Sequence, residues 1–332
     1  MTLLRCAAKM LPAIVLAAAA TISASAQNLL AHANAALQAG EADRALALLN
    51  SLPSSGEGQA EAHNLQCRVR LTLEQWNAAV SQCEQAVQLD GQNSGYHLWL
   101  GRALGKKAER ASFLRAYSLA KRVRAEFEES VSLNPRNPEA LADLGEFYRQ
   151  APGIVGGGMD KAQGIAAQLD KVDPARAHQL RGRIAEGRKD YGTAESEFKQ
   201  AIAAGAHPAF QWTDLAGFYS RRQRWTEMES ALRSCLTAAR RDKHAGVALY
   251  TGAGLLTESN RDPVLAAKML EDYLAGSAKT EEAPAFVAHI RLALLDDQLG
   301  DAAAANRERA AALALAHDYK PAQQARAQEA RN

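Results

Sequence analysis

Two cysteines occupy positions from which a covalent cross-link could form. Cys67 and Cys83 lie at equal distances from residue 75, which we place in a turn between two helices. In an antiparallel helix pair, residues equidistant from the turn face each other, and a disulfide requires Cα atoms roughly 4.4–6.8 Å apart. The spacing therefore predicts a Cys67–Cys83 disulfide; the alternative is a pair of small thiols in an apolar core. Cys235 is expected to be an inert, buried thiol.

Histidine recurs at intervals along the chain and could in principle bind a metal. A metal site would need several imidazoles about 2 Å from one ion, whereas packed helices lie about 10 Å apart. We therefore expect these side chains to fill core positions that a bulky aromatic residue would otherwise occupy. The histidines are His63, His97, His178 and His289.

The chain lacks motifs for covalent or acid–base catalysis. It contains no H-E-x-x-H or Cys-x-x-Cys motif and no Ser/His/Asp arrangement. Adjacent carboxylates such as Glu281 and Glu282 point apart on a helix, so they do not form an acid–base pair. We expect them on the solvated surface. The sequence therefore predicts a protein without enzymatic activity, cofactor or metal.

A glycine-rich segment at 152–158 could contact a ligand. Gly153, Gly156, Gly157 and Gly158 precede a predicted helix, and backbone amides at a helix N-terminus can bind an anion. No Gly-Lys-Ser/Thr follows, so the segment is not a nucleotide-binding P-loop. Two interpretations stay open, namely a tight turn and a ligand-contacting loop.

These residues are positioned by a 34-residue unit that repeats along the chain. Ala60–Asn93 is its clearest copy, with a helix at 60–73, a turn at Glu74–Gln75 and a second helix at 77–89. Periodicity of this length is typical of solenoids, in which each unit contacts its neighbours. Strand-like alternation is absent, so we predict an all-helical protein.

Small residues recur at the positions of the unit where helix axes must approach closely. Proline ends helices between units, because it cannot continue a helix and restricts the residue before it. This pattern resembles the tetratricopeptide repeat (TPR) family over about residues 27–319. The residues that carry the resemblance are Gly101, Gly145, Gly182, Ala79, Ala194, Ala201 and Pro135. It implies a right-handed superhelical solenoid of about 7–8 TPR-like helix pairs with a concave groove.

The resemblance also implies which side chains line the groove. Families of this type bind peptides, protein segments or other subunits. Arg68, Arg102 and Lys106 lie on consecutive repeats and resemble a basic clamp for a carboxylate, which arginine can bind through two parallel hydrogen bonds. The candidate partner-binding residues are Asn64, Arg68, Arg102, Lys106, Arg149 and Arg183.

Two insertions, at about 105–120 and at 152–158, interrupt neighbouring repeats and could pack together. Gly105–Arg124 contains seven basic residues and one acidic residue, with Phe113, Leu114, Tyr117 and Leu119 interleaved. We expect the first helix of this repeat to continue past its usual end and to fold back at about 112–118. The segment is either a docking site for an acidic peptide or a lipid headgroup, or a solvated helix face.

The first 26 residues have the pattern of an export signal. Arg5 and Lys9 precede the apolar run Leu11–Ala20, and Ala24–Ala26 supplies a small-x-small cleavage site. The apolar run is shorter than the roughly 20 residues needed to span a bilayer. We therefore expect cleavage near Gln27, general secretory export, and a periplasmic or extracellular protein that is not an integral membrane protein; the alternative is an uncleaved N-terminal anchor.

The charge balance does not favour nucleic acid as a partner. The whole chain has 39 basic and 37 acidic residues, and loss of Arg5 and Lys9 with the signal would leave it neutral. A nucleic-acid-binding protein usually carries a basic excess. Residues 321–332 are polar and are expected to form a flexible tail after the solenoid of residues 27–320.

The sequence thus predicts a non-catalytic interaction scaffold or adaptor of the cell envelope. It would bind a peptide or a protein segment in its concave groove. The alternative is a solute-binding accessory component of an envelope transport system. That alternative would use a cavity near Gly153–Gly158, and it rests on the similarity of this glycine-rich break to one found in such accessory proteins.

Overall fold

The structure, a computed structural model, describes residues 11–53, 55–56 and 58–329. These residues form α-helices joined by short turns, and no strand occurs among them. The helices are α1 (Leu11–Ala39), α2 (Ala42–Asn50), α3 (Gln59–Thr72), α4 (Trp76–Leu89), α5 (Ser94–Ala108), α6 (Phe113–Leu133), α7 (Pro138–Gln150), α8 (Met159–Leu169), α9 (Pro174–Gly187), α10 (Tyr191–Ala204), α11 (Pro208–Arg221), α12 (Trp225–Ala239), α13 (Gly246–Glu258), α14 (Pro263–Ala275), α15 (Ala285–Leu299), α16 (Ala302–Leu315) and α17 (Lys320–Glu329).

Consecutive helices pair with each other, from α1 with α2 to α15 with α16, and each pair packs on the next. The prediction of an all-α solenoid of about 7–8 TPR-like helix pairs is confirmed. Capping residues set where several helices begin. Asn137 accepts hydrogen bonds from the amides of Glu139 and Ala140 at 3.0 and 3.3 Å, and Pro138 occupies the first helical position, where no amide donor is needed.

Glycine allows neighbouring helices to approach closely, both within a pair and between pairs. A Cβ atom at Gly101 would lie 2.5 Å from Cε1 of Phe127, and one at Gly145 would lie 2.5 Å from Cδ2 of Leu180. A Cβ atom does not approach another atom this closely, so a side chain at either position would force its neighbour to move; the aromatic ring of Phe127 can yield less than the end of the Leu180 side chain. Close contact between α5 and α6 thus depends on the small residue that the repeat pattern indicates.

The third helix pair differs from the prediction. Helix α5 ends at Ala108, and α6 already begins at Phe113. The expected continuation of the first helix, with a fold at 112–118, is therefore wrong. Ser112 has an extended backbone and its carbonyl accepts a hydrogen bond from the Ala116 amide at 2.8 Å. The inserted residues consequently lengthen the second helix of the pair.

The first and last helix pairs contact each other, which closes the solenoid into a ring. Leu30 and Leu37 share one buried cluster with Phe286, Ile290 and Tyr319. Because of this closure, the inner faces of the first helices surround a central space instead of forming an open groove.

Polar and backbone contacts accompany the apolar closure. A Cβ atom on Gly40, whose φ is +78°, would lie 2.6 Å from the Ala285 nitrogen, so the two backbones meet directly. The backbone amide of His317 donates a hydrogen bond to the Asp43 carboxylate at 2.7 Å. Ring closure therefore uses residues from both ends of the array.

Helices cross both predicted boundaries of the solenoid. Helix α1 runs without a break through the expected cleavage site near Ala26, and Arg5 and Lys9 lie outside the described residues. Among the described helices, none is both long and apolar enough to cross a membrane. Residues 320–329, at the start of the expected flexible tail, form α17, and Ala322 is buried against the closure cluster.

Candidate functional site

A cavity of about 940 Å³ lies at the centre of the ring. This volume is within the range of about 300–1,000 Å³ that is usual for ligand sites in proteins. Its wall combines charged side chains with five aromatic ones. The aromatic residues are Trp76, Trp99, Phe127, Phe147 and Tyr250.

Arg68, the first residue of the predicted basic clamp, lines this cavity and is engaged within the protein. Its Nε donates to both carboxylate oxygens of Glu281 at 2.9 and 3.1 Å, and its Nη2 also contacts that carboxylate. The two side chains are 13% and 8% exposed. Glu281 precedes α15, so this ion pair joins the second repeat to the last one.

Arg102 is held in the same way, one repeat further along the wall. Its Nε donates to Asp143 at 2.6 Å, and its Nη2 donates to Glu139 at 3.3 Å. The guanidinium groups of Arg68 and Arg102 lie 5.1 and 4.6 Å from the ring centroid of Trp99, distances that allow cation–π attraction. Burial raises the pKa of Asp143, although the neighbouring Arg102 opposes that effect.

The other predicted clamp residues also have partners in the protein. Lys106 pairs with Glu109 at 3.0 Å, and Arg149 and Arg183 both pair with Glu146, at 2.6 and 3.2 Å.

Burial would raise the pKa of Glu146. Hydrogen bonds from Arg149 and the charge of Arg183 outweigh that effect and hold the pKa at about 2. Glu146 is therefore a stable anion at the edge of the cavity.

The structure thus separates the six predicted residues into two groups. Arg68, Arg102 and Lys106 line the cavity, whereas Asn64, Arg149 and Arg183 do not. Asn64 is buried in α3 at 4% exposure. Since each of the five cations already faces a carboxylate, their binding of an acidic partner stays a prediction.

Two other charged side chains in the cavity form no ion pair within the described part of the chain. Glu282 makes no ion pair or side-chain hydrogen bond there. Its carboxylate is open to the solvent of the cavity, yet the surrounding walls raise its pKa, against the opposing charge of Arg102. Arg291 stacks 4.2 Å from the ring centroid of Tyr250 and has no carboxylate partner among the described residues.

Sequence reasoning missed these cavity residues. It placed Glu281 and Glu282 on the solvated surface because they were expected to lie on a helix. The correction is that both precede α15 and line the cavity, where Glu281 forms the buried pair with Arg68. No local sequence signal identifies a contact between residues 213 positions apart.

The glycine-rich segment forms a compact turn beside the cavity. Gly153–Val155 is a short 3-10 helix. The amides of Gly156, Gly157 and Gly158 donate to the carbonyls of Gly153, Pro152 and Tyr148, respectively, at 2.9, 3.2 and 2.7 Å. These internal bonds occupy the donors that an anion would need. The segment contacts the cavity through Pro152 and Val155.

The two insertions pack against each other, as the sequence suggested they could. A Cβ atom at Gly156, whose φ is +96°, would lie 1.9 Å from Nη1 of Arg124 on α6. This position therefore needs glycine for its backbone conformation and for its space. The turn at 152–158 and the lengthened α6 together form one side of the cavity wall.

The predicted Cys67–Cys83 disulfide is present and joins α3 to α4, with Cα atoms 5.2 Å apart. Both sulfur atoms are buried. Cys235 is a free, buried cysteine, and burial raises the pKa of its thiol to about 12. Because thiolate is the reactive form, Cys235 is inert at neutral pH.

The recurrent histidines pair with the second helix of their own repeat. Nδ1 of His178 lies 2.7 Å from Glu197, and Nδ1 of His289 lies 2.5 Å from Glu308. In both repeats the partner follows 19 residues after the histidine, a spacing that is visible in the sequence and could have identified these pairs. No cluster of possible metal ligands occurs in the described ranges.

Comparison with known proteins relates the chain to others by structure alone. No protein-family model and no curated protein matches its sequence. A thermophilic TPR protein from Thermus thermophilus is 17% identical, with a TM-score of 0.49 over 58% of this chain and 98% of that one. A tetratricopeptide repeat protein from Parabacteroides merdae is 12% identical, with a TM-score of 0.46 over 82% and 98% of the two chains. MamA is 13% identical, with a TM-score of 0.34 over 52% and 93%.

Proposed function

We propose that the protein is a non-catalytic interaction scaffold of the cell envelope that binds a peptide or protein segment inside the ring. TPR-type helix pairs support a role in protein interaction in general. The proposal that the partner binds inside the ring rests on the central cavity, because aromatic and charged side chains surround a space there that is large enough for a ligand. The export pattern of the first 26 residues is the basis for the envelope location.

The charges of the cavity define which segment would fit. Glu282 can pair with a basic group, and Arg291 can pair with an acidic group, whereas Arg68 and Arg102 are already neutralised by the protein. The aromatic faces between them supply apolar contact area. A segment that carries both signs of charge around an apolar residue satisfies all three features, and it suits this cavity better than a purely acidic peptide.

Filling the cavity tests the proposal directly. Gly105 lines the cavity, and a Cβ atom there would meet nothing within 4 Å. Gly105→Trp should therefore occupy the ligand space without disturbing the α5–α6 contact. Gly164→Trp is the matched control, because Gly164 is a helical glycine with equally open surroundings on the exposed face of α8.

The measurement is affinity capture from an envelope extract with the native chain and both variants. We expect the native chain and Gly164→Trp to retain the same protein, and Gly105→Trp to lose it while keeping the helical circular dichroism of the native chain. Equal capture by Gly105→Trp would contradict binding in the cavity. Recovery of a small molecule in place of a protein would contradict the scaffold function.

A further inference from the structure

Helix α6 extends further at its N-terminal end than the second helix of another pair. Phe127 faces Gly101 as Phe198 faces Gly182 in the fifth pair, so the two second helices share one register. Phe198 is the eighth residue of α10, whereas Phe127 is the fifteenth residue of α6. The extra residues therefore precede the shared part of the helix and lengthen it by about 10 Å at 1.5 Å per residue.

The start of this extension exposes two adjacent apolar side chains. Phe113 is 85% exposed and Leu114 is 79% exposed, the highest values for large hydrophobic residues in the described part of the chain. Neither residue lines the central cavity. Adjacent exposed side chains of this size are typical of interaction sites rather than of ordinary surface.

The segment that contains the apolar pair is rich in basic residues. Residues 106–122, which we name the α6 tip, contain six lysines and arginines against the single acidic residue Glu109. Three of these six pair with carboxylates of the protein, Lys106 with Glu109, Arg110 with Glu74 and Arg122 with Glu84. The other three, Lys107, Arg115 and Lys121, have no carboxylate partner among the described residues, and Lys121 contacts the ring of Tyr117 at 4.6 Å. The tip therefore presents a positive charge that the protein itself does not neutralise.

We propose that the α6 tip is a peripheral docking site for an anionic lipid bilayer. Phe113 and Leu114 project from the first turn of a helix with no wall around them, whereas recognition of an acidic peptide would need a concave surface. A bilayer interface accepts apolar side chains without a matching pocket, and anionic headgroups attract the surrounding lysines and arginines. Charge and shape thus favour a lipid surface over a peptide.

Sedimentation with vesicles measures the contribution of the apolar pair. The vesicles contain phosphatidylglycerol and phosphatidylcholine in about a 1:2 ratio, which supplies the negative surface that attracts basic segments. Phe113→Ser with Leu114→Ser should weaken binding at least about tenfold, since two large apolar side chains lose their buried environment. Val264→Ser with Leu294→Ser is the matched control, because these residues are also exposed, at 64% and 55%.

The charge contribution is measured separately. Lys107→Gln with Arg115→Gln should weaken binding to these vesicles by roughly tenfold or more, and binding of the native chain to pure phosphatidylcholine should be weaker still. Every variant retains the whole chain, including the apolar run Leu11–Ala20, so differences between variants report on the tip.

A local probe distinguishes docking of the tip from binding elsewhere. Phe113→Cys labelled with a polarity-sensitive nitrobenzoxadiazole dye should shift to shorter emission wavelengths on adding vesicles, whereas the same label at Val264→Cys should not. An unchanged spectrum at position 113 would overturn the proposal, as would equal vesicle binding by the serine variants and their control. If the native chain self-associates in sedimentation without vesicles, and the Phe113/Leu114 variant loses that association while it keeps vesicle binding, the tip is a protein contact and the proposal is overturned.

Discussion

Replacing Glu281 with alanine should open the ring without unfolding the helix pairs. The Glu281 carboxylate accepts hydrogen bonds from Arg68 Nε at 2.9 and 3.1 Å and from Gln38 Nε2 at 2.9 Å. It thereby connects the last repeat to the first and the second. In a repeat array each unit contacts its neighbours, so loss of this connection acts on the closure and leaves the remaining interfaces in place.

The expected cost follows from the burial of the pair. Removing one partner of a buried ion pair costs about 3–5 kcal/mol, because the other charge is left without compensation. The lower end applies here, since Arg68 retains a hydrogen bond to Asn34 at 3.2 Å and its contact with the ring of Trp99. We therefore expect Glu281→Ala to weaken the closure by about 3 kcal/mol.

Small-angle scattering and amide hydrogen exchange measure this effect. Glu281→Ala should increase the maximum dimension of the particle and accelerate exchange in α2 and α16, while exchange in α10 and α11 stays as in the native chain. Glu186→Ala is the control, because Glu186 pairs at 2.8 Å with the half-exposed Arg221 of the next repeat, away from the closure. Such a pair contributes about 0–1 kcal/mol. Identical scattering and exchange for Glu281→Ala and the native chain would refute the reasoning.

Three further predictions follow from the disulfide, the glycines and the carboxylate of Glu146. Cys67→Ser with Cys83→Ser should lower the free energy of unfolding by about 3 kcal/mol, from the entropy of a loop of this length; denaturant titration checks this, and an unchanged midpoint would contradict it. Gly101→Ala should destabilise the protein by about 1–3 kcal/mol because its Cβ would meet the Phe127 ring. Gly105→Ala on the same helix has open space around it and should stabilise the protein by up to about 1 kcal/mol. Thermal unfolding that ranks the two variants in the opposite order would disprove this. The pKa of Glu146 falls from the ordinary 4.5 to about 2 on folding, so its contribution to stability is complete above pH 4.5 and is lost as the pH falls toward 2. Glu146→Gln should therefore make the free energy of unfolding less dependent on pH over that range. An equal pH dependence of this free energy in both chains, measured by urea titration, would count against the prediction.

The parts of the fold that depend on local pattern could be predicted from the sequence. Helix pairs follow from the repeat, and the Cys67–Cys83 bridge follows from two residues equidistant from a turn. The close contact between helices at Gly101 could also be predicted, because this position of the repeat must hold a small residue in every unit. Each of these features is determined within one repeat or between neighbours, where periodicity is informative.

The cavity could not be predicted in the same way. It depends on ring closure, and ring closure depends on contacts such as Arg68 with Glu281, which are 213 residues apart and leave no periodic signal. The predicted clamp residues Arg102 and Lys106 line the cavity, and their role in binding stays a prediction. Only the structure shows that Asp143 and Glu109 neutralise these two side chains, because a pattern of basic positions does not indicate which acidic residues lie opposite them.

Contact between the two ends of the array restricts how such a protein can change in length. A linear array needs polar units to cover its exposed ends, and units can be gained or lost between them. Here each terminal unit covers the other, so an additional helix pair would move Glu281 away from Arg68 by about the 10 Å width of a packed helix. The number of units is therefore a fixed property of this molecule. Variation in length is expected within units, as in the third and fourth pairs, which lie away from the closing surfaces.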